Sequence, residues 1–183
     1  EQQLSFELAA RLNRLKAIEY PNDPALLARI KAYELAFHMQ LSVPEALGFQ
    51  TETQATQAMY GLDDPATQAF GSQMLATRRL IERGVRFIQV QHGAGGAGAW
   101  DAHGGLKANH TANFKAVDKP ISGLLTDLKR RGLLEDTIVW WGGEFGRNPF
   151  AQSNGTGRDH DPDGFTVWLA GGGVKPGFSY GAT

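Results

Sequence analysis

The stretch Val85-Arg86-Phe87-Ile88-Gln89-Val90-Gln91 decides the predicted fold, because the helical spacing of apolar residues ends just before it. β-Branched and aromatic residues dominate this stretch, which predicts a β-strand. Only three of the 23 glycines precede Gly84, whereas all four tryptophans follow it. The composition therefore divides the chain into a helical region, residues 1–84, and an α/β region, residues 85–183.

Three helices are predicted in the helical region, which we expect either to cap a sheet or to form the first layer of the same domain. Leucines recur at helical spacing between residues 4 and 15. Asp23 and Pro24 supply the N-cap and the first helical residue of the second helix. Asp64-Pro65 repeats this signal for a third helix, which ends at Arg83-Gly84. The adjacent arginines Arg78-Arg79 in that helix are predicted to form a solvated face.

The region 85–183 predicts a long helix and two further strands. Apolar residues step by three and four from His110 to Leu128, which places them on one face of a helix ending near Gly132. Residues 137–141 and 165–170 are predicted strands, and the first lacks alternation, as parallel strands buried on both faces do. A strand, a helix and a strand form a βαβ unit with parallel strands and a right-handed crossover. Functional side chains are then expected beyond the carboxyl ends of the strands.

Composition and charge exclude several classes of function. The 18 Lys and Arg residues against 19 Asp and Glu give a net charge of −1, without the positive field that nucleic-acid binding requires. The absence of cysteine excludes a thiol nucleophile, a thiolate metal site and disulfides. No apolar run approaches the about 18 residues of a membrane span. Because the chain begins at Glu1 inside a predicted helix, we expect a piece of a longer polypeptide, with any export signal upstream.

Carboxylates and histidines gather in the loops at the predicted strand ends. Asp101 and His103 follow the first strand, Glu144 follows the second, and Asp159 and His160 precede the third. Mixed oxygen and nitrogen donors suit Zn, Mn or Fe better than Ca or Mg. The structural alternative is a carboxylate–imidazole pair that only ties down a loop. We predict a divalent-metal site whose ligands are Asp101, His103, Glu144 and either Asp159 or His160.

Two arginines accompany the predicted metal site. Arg147 and Arg158 could offer forked donors to phosphate or sulfate oxygens, with Asp159 as a further substrate or supporting group. Such a metal would polarise an ester oxygen and lower the pKa of bound water, which predicts hydrolysis of oxyanion esters. The alternative for Arg158 and Asp159 is a loop ion pair. His92 and His110 are weaker candidates, because hydrogen-bonded structural histidines explain them equally well.

A glycine pattern in the loop after residue 92 is rejected as a cofactor site. Residues 93–98 match the G-x-G-x-x-G pattern of dinucleotide-binding proteins. That pattern requires a helix to begin at its last glycines, but residues 100–105 intervene before the helical periodicity starts. No nucleotide cofactor is therefore expected.

Several motifs, in order, resemble one family of bacterial proteins. They are Leu80-Ile81-Glu82-Arg83-Gly84-Val85-Arg86-Phe87, Trp100-Asp101-Ala102-His103-Gly104, Gly132-Leu133-Leu134, Gly143-Glu144-Phe145-Gly146-Arg147, Gly157-Arg158-Asp159-His160 and Trp168-Leu169-Ala170-Gly171-Gly172-Gly173. The chain from about residue 70 to 183 resembles the family catalogued as domain of unknown function fifteen-oh-one, which contains planctomycete-type, sulfatase-like proteins.

This resemblance implies a branch of the alkaline phosphatase and sulfatase superfamily. The implied fold is a three-layer α/β/α arrangement with a mainly parallel sheet, present here as a C-terminal portion. The Asp101/His103 loop resembles one ligand segment, and His160 resembles the late histidine ligand. Glu144 stands where better-known members have an Asp-His pair, with Phe145 in the second place. No early strand that would carry the nucleophile is visible, so we expect little or no turnover from this portion.

The resemblance also implies a setting for the protein. Its substrate would be a small sulfate or phosphate ester or a sulfated glycan. The metal would be Zn or Mn, with Ca as a further candidate, and a twin-arginine signal would export the protein to the periplasm. Two rival hypotheses are a secreted, non-catalytic binding or structural module that retains the fold, and a cytosolic phosphomutase-like relative.

Overall fold

Helices and two small antiparallel sheets make up the computed structural model, which describes residues 2–20, 23–93, 99–152 and 155–182. The chain divides into two units, Glu1–Thr51 and Glu52–Thr183. The boundary in composition at residue 84 falls inside the second unit. Within the described residues, the helices are too short or too polar to cross a lipid bilayer.

The first unit is a pair of helices, α1 (Gln2–Glu19) and α2 (Pro24–Leu47), followed by a single turn of 3-10 helix, Phe49–Thr51. The predicted cap of α2 is confirmed, because the Asp23 carboxylate accepts hydrogen bonds from the amides of Ala25 and Leu26 at 3.0 Å each. The predicted leucine stripe of α1 is 57–71% exposed, so its helical spacing does not mark a core face in the described chain.

The second unit is built around two long helices that pack against each other, α4 (Gln68–Glu82) and α5 (Leu106–Arg130). A short helix, α3 (Gln54–Met59), precedes them. The predicted inward positions Phe70 and Met74 of α4 are buried, as are Val117, Leu124 and Leu128 of α5. Helix α5 continues through Pro120 and begins four residues before the predicted His110.

The chain after α3 crosses close to α5 at Gly123. A Cβ at this position would lie 2.6 Å from the carbonyl oxygen of Met59 and 3.2 Å from the Cα of Tyr60. These neighbours are backbone atoms, so a side chain at Gly123 would displace the backbone at Met59 and Tyr60, and no change of side-chain rotamer could relieve the contact. Gly123 therefore sets the distance at which α5 packs against the end of α3, and the side chain of Tyr60 is fully buried there.

Arg78 lies at the centre of a buried ionic network between α4 and α5, and the prediction that Arg78-Arg79 form a solvated face is wrong. Arg78 is 2% exposed and Arg79 is 8% exposed. The Arg78 guanidinium lies 2.7 Å from Glu52, 2.6 Å from Glu82 and 3.0 Å from Asp127. Charge periodicity alone could not reveal this arrangement, because two of the three carboxylates lie on other segments of the chain.

Tyr60 joins the same network through its hydroxyl group, which donates a hydrogen bond to Asp127 at 3.0 Å. Burial and the neighbouring Asp127 carboxylate raise the pKa of Tyr60, which keeps the hydroxyl protonated as a donor. Removing one member of a buried charge network leaves its partners without compensation, which typically costs about 3–5 kcal/mol. The network therefore fixes α4 and α5 in one register.

Two of the three predicted strands form, and they pair antiparallel. Strand β1 (Ile138–Trp141) pairs with β4 (Trp168–Gly171), with Ile138 opposite Gly171 and Trp141 opposite Trp168. A second pair joins β2 (Gly146–Arg147) to β3 (His160–Asp161). Strand β1 is also largely exposed, and Trp140 is 59% exposed. The expectation of a strand buried on both faces is therefore wrong.

The stretch 85–91 is not a strand among the described residues, so the predicted βαβ unit and parallel sheet do not form there. Its first amide, that of Val85, bonds to the carbonyl of Leu80 and thereby closes the end of α4. Phe87 is 82% exposed. A β-strand exists only through a neighbouring strand, and none lies beside this stretch within the described chain. The described residues thus form a mainly helical, mixed structure.

We predict that Gly123→Ala destabilises the protein although alanine is the better helix former. Contact of the new methyl group with the Met59 backbone outweighs the gain in helix propensity of about 1 kcal/mol, leaving a net loss of about 1–2 kcal/mol. Urea unfolding measures the change as a lower midpoint at constant slope. Gly104→Ala is the control, because a Cβ at Gly104 meets nothing within 4 Å. Unchanged or increased stability of Gly123→Ala would contradict this account.

Candidate metal centre

The first ligand segment is a turn immediately before α5. Within it the amide of Ala102 bonds to the carbonyl of Trp100 at 3.0 Å, and that of His103 bonds to the carbonyl of Asp101 at 3.2 Å. Ala102 is 5% exposed and anchors the turn. The neighbouring Asp101 and His103 side chains are partly exposed, at 28% and 34%. The turn therefore presents both side chains at the surface on a backbone that is held in place.

The segment containing Gly157 lies directly on this turn. The amide of Arg158 bonds to the carbonyl of Ala102 at 3.0 Å, and the hydroxyl of Thr156 accepts a hydrogen bond from the amide of Gly105 at 2.7 Å. A Cβ at Gly157 would lie 2.0 Å from the carbonyl oxygen of Ala102. A glycine is therefore required for the two segments to approach this closely. This contact brings His160 toward Asp101.

Strands β2 and β3 bring the third segment to the same place. Arg147 lies opposite His160 in the register of this pair. The amide of Asn148 bonds to the carbonyl of Asp159 at 2.9 Å, and its side-chain amide donates to the carbonyl of His160 at 2.7 Å. Gly146 allows the approach, since a Cβ there would overlap the carbonyl oxygen of Gly164. Three sequence-distant segments thus meet at one point.

One carboxylate oxygen lies at this meeting point. Oδ1 of Asp101 is 2.9 Å from Nε2 of His103, 3.1 Å from Nε2 of His160 and 2.5 Å from Nη1 of Arg147. The rings of His103 and His160 pack edge to face, with centroids 4.7 Å apart. The ligand atoms of Asp101, His103 and His160 all lie within 4.8 Å of one another. These three side chains form a group that could hold a metal ion.

The electrostatics of the site favour an ionised Asp101. The hydrogen bond from Arg147 holds the pKa of this carboxyl below its usual value, and the hydrogen bond with His160 acts in the same direction. Asp159 lies on the far side of His160, with a carboxylate oxygen 4.0 Å from Nδ1. The same oxygen accepts a hydrogen bond from the backbone amide of His160 at 2.8 Å, so Asp159 adds negative charge near the ring without a hydrogen bond to it.

The other predicted residues take different positions. The Glu144 side chain is 69% exposed and lies 3.9 Å from Nη2 of Arg147, outside the group of three. Its role as a ligand stays a prediction. Nη1 of Arg158 donates to the carbonyl of Gly157 at 2.7 Å. The roles of Arg158 and Asp159 toward a substrate likewise stay predictions.

His92 and His110 lie in an aromatic cluster around Trp100, apart from the group of three. The Trp100 indole donates to Nδ1 of His92 at 3.0 Å, and Nε2 of His110 lies 3.4 Å from the Trp100 carbonyl. Burial lowers the pKa of His92. The two histidines hold the residue that precedes Asp101. Residues 94–98 of the rejected G-x-G-x-x-G pattern lie outside the described residues.

Phe145 belongs to the site, although in the sequence it stands out only as a departure from the family pattern. Its ring packs edge to face on His160, with centroids 4.8 Å apart, and the Arg147 guanidinium carbon lies 5.5 Å from the same ring centroid. An available signal was the alternation of side chains in extended backbone, which places Phe145 and Arg147 on one face. Phe145 thus touches both His160 and Arg147.

A cleft of about 1270 Å³ opens beside the site. Glu144, Phe145 and Arg147 are among its lining residues, and Phe87, Trp140 and Phe165 contribute apolar surface. Its lining also includes the polar residues Arg86, Gln89, Gln91 and Asp161, so the cleft offers both apolar and polar surface. Arg147 is thus shared between the three-residue group and the cleft.

Comparison with known proteins identifies the family but gives no characterised relative. No curated protein and no solved structure matches the chain. One family does match, and its match extends from residue 1 to residue 183, which includes the first part of the chain, before residue 70, that the motif resemblance did not cover. The chain therefore belongs to the family described as Protein of unknown function (DUF1501).

Proposed function

We propose that this protein is a metal-dependent hydrolase of sulfate or phosphate esters. The observation that carries the proposal is the meeting of one carboxylate and two imidazoles, within 4.8 Å of one another, beside an arginine that lines a cleft. Membership of the alkaline phosphatase and sulfatase superfamily, with its three-layer α/β/α fold, belongs to the same proposal and rests on the motif resemblance.

The donor set fits a catalytic transition-metal ion. One carboxylate oxygen and two imidazole nitrogens suit Zn, Mn or Fe, whereas Ca prefers oxygen alone. Three protein ligands are typical of catalytic zinc sites, in which further positions are left for water and substrate. We propose Zn or Mn, held by Asp101, His103 and His160, with Glu144 as an additional ligand. When bound, the metal would lower the pKa of its water and polarise an ester oxygen.

The chain's own residues have distinct roles in this proposal. Asp101, ionised at neutral pH, supplies the negative charge that holds the cation. Asp159 adds negative charge near Nδ1 of His160, and Phe145 packs against the His160 ring. Arg147 and Arg158 bind the oxyanion, since a guanidinium offers forked donors that match sulfate and phosphate oxygens.

The substrate side of the proposal follows from the cleft. Its aromatic side chains would contact the organic part of a small ester or of a sulfated glycan, while Arg147 binds the oxyanion. Hydrolysis adds one water, breaks the ester bond and releases an alcohol with inorganic sulfate or phosphate. We propose export to the periplasm on the family resemblance alone.

A second candidate function is a non-catalytic module that binds oxyanions. The observation that favours it is the existing ion pair of Asp101 with Arg147, since such a pair can hold the three loops together without a metal. A module of this kind would bind inorganic sulfate or phosphate but release no product from an ester. Metal binding and turnover separate the two functions.

Metal binding is the first test. We predict that the chelator-treated protein binds one Mn²⁺ or Zn²⁺ per chain in isothermal titration calorimetry. Loss of an outer-sphere partner typically weakens metal affinity about 10- to 100-fold. Asp101→Asn changes a direct ligand of the proposed metal, so it should weaken the affinity by more than that. Asp63→Asn is the matched control, because Asp63 is an exposed carboxylate paired with Lys119. Equal metal content in wild type and Asp101→Asn would refute the ligand assignment.

Turnover is the second test, made on the complete natural polypeptide. We predict metal-dependent release of p-nitrophenol from its sulfate or phosphate ester. Asp101→Asn should lower kcat/KM by about 100-fold or more, because loss of the metal removes the charge that stabilises the transition state. Asp63→Asn should leave the rate unchanged. Tight metal binding without a rate above that of Asp101→Asn would favour the non-catalytic module.

A further inference from the structure

We infer that Arg147 is an exchangeable counter-ion, which neutralises Asp101 until a metal takes its place and then turns to bind the oxyanion of the substrate. This inference rests on the proposed function and adds the order in which metal and oxyanion bind. The metal binds first, and its arrival prepares the anion site. Metal and oxyanion should therefore bind with positive coupling that runs through one side chain.

A bound metal and Arg147 would compete for one atom, Oδ1 of Asp101. Oδ1 of Asp101 already faces three nitrogens, and the shortest of the three distances, 2.5 Å, is that to Arg147. A metal held by this oxygen and both imidazoles would occupy the space among the same atoms, at about 2.0–2.2 Å from each. When a carboxylate oxygen binds a metal ion along one direction, it cannot also accept a short hydrogen bond from a guanidinium along that direction.

Metal binding would also change the net charge around Asp101 and Arg147. Asp101 and Arg147 together are neutral, so a divalent ion at Asp101 adds two positive charges beside the guanidinium. Like charges at this distance repel, most strongly where the site is shielded from solvent. An oxyanion that bridges the metal and Arg147 removes this repulsion. The same ion that displaces Arg147 from Asp101 therefore increases the affinity of the site for an anion.

The Arg147 side chain has an alternative position available when it leaves Asp101. Its side chain is 22% exposed, and it rests over the ring of Phe145. Its other terminal nitrogen, Nη2, lies 3.9 Å from the exposed Glu144, and both residues line the cleft. The aromatic ring is a flat surface on which a guanidinium can change partners while it keeps its cation–π contact. Movement away from Asp101 thus brings the fork toward the cleft.

The test measures Mn²⁺ affinity by calorimetry, with and without inorganic sulfate, for wild type and Arg147→Gln. Without sulfate, the variant should bind Mn²⁺ roughly 5- to 10-fold more tightly than wild type, because it lacks the competing cation. Sulfate should tighten Mn²⁺ binding about 10-fold in wild type, and Mn²⁺ should tighten sulfate binding by the same factor. In Arg147→Gln most of this coupling should be lost. Arg11→Gln, at an exposed arginine of α1, is the control for loss of one charge.

Two further variants keep the outcomes distinct. Arg147→Lys retains the charge without the fork, so it should keep the weaker Mn²⁺ affinity of wild type but lose about half or more of the sulfate coupling. If Arg147→Gln binds Mn²⁺ equally or more weakly than wild type while Asp101→Asn abolishes binding, the exchange is refuted and the metal site stands. If wild type binds neither Mn²⁺ nor Zn²⁺, both proposals fail.

Discussion

The carboxylate of Asp101 is the point on which the candidate site depends. A single oxygen of this side chain is within hydrogen-bonding distance of nitrogens from two imidazoles and one guanidinium. The four side chains come from three segments that lie far apart in the sequence. Backbone hydrogen bonds and this shared negative charge bring the segments together, and the proposed metal would compete with Arg147 for the same oxygen.

This convergence requires close contact between backbones, and the glycines of the motifs allow it. Gly157 lies so close to the carbonyl of Ala102 that no side chain fits between them. The hydrogen bond between the Arg158 amide and Ala102 then fixes the segment that leads to His160. The glycine-rich character of the second half of the chain is therefore explained, at this position, by packing of one loop on another.

The sequence was sufficient for features that depend on neighbouring residues and insufficient for those that depend on distant ones. The cap at Asp23 and the buried positions Phe70 and Met74 of α4 and Val117, Leu124 and Leu128 of α5 follow from spacing over one or two helical turns and are confirmed, whereas Phe114 on the predicted face of α5 is 51% exposed. The meeting of Asp101, His103 and His160 was expected from their places at predicted strand ends. They do meet, although the parallel sheet on which that expectation relied is absent from the described residues.

The wrong predictions have a common physical cause. Residues 85–91 have the composition of a strand, but strand formation needs a partner whose position no local pattern reveals. Arg78 has the charge of a surface residue, but carboxylates from other segments surround it in the interior. In each case the deciding contact is long-range.

The most direct measurement is anomalous diffraction at the zinc absorption edge from crystals of the zinc-loaded protein. The account predicts one anomalous peak at about 2.0–2.2 Å from the Asp101 carboxylate and from Nε2 of both His103 and His160, with the Arg147 guanidinium withdrawn from Asp101. A zinc ion bound elsewhere, with Arg147 still bonded to Asp101, would contradict it.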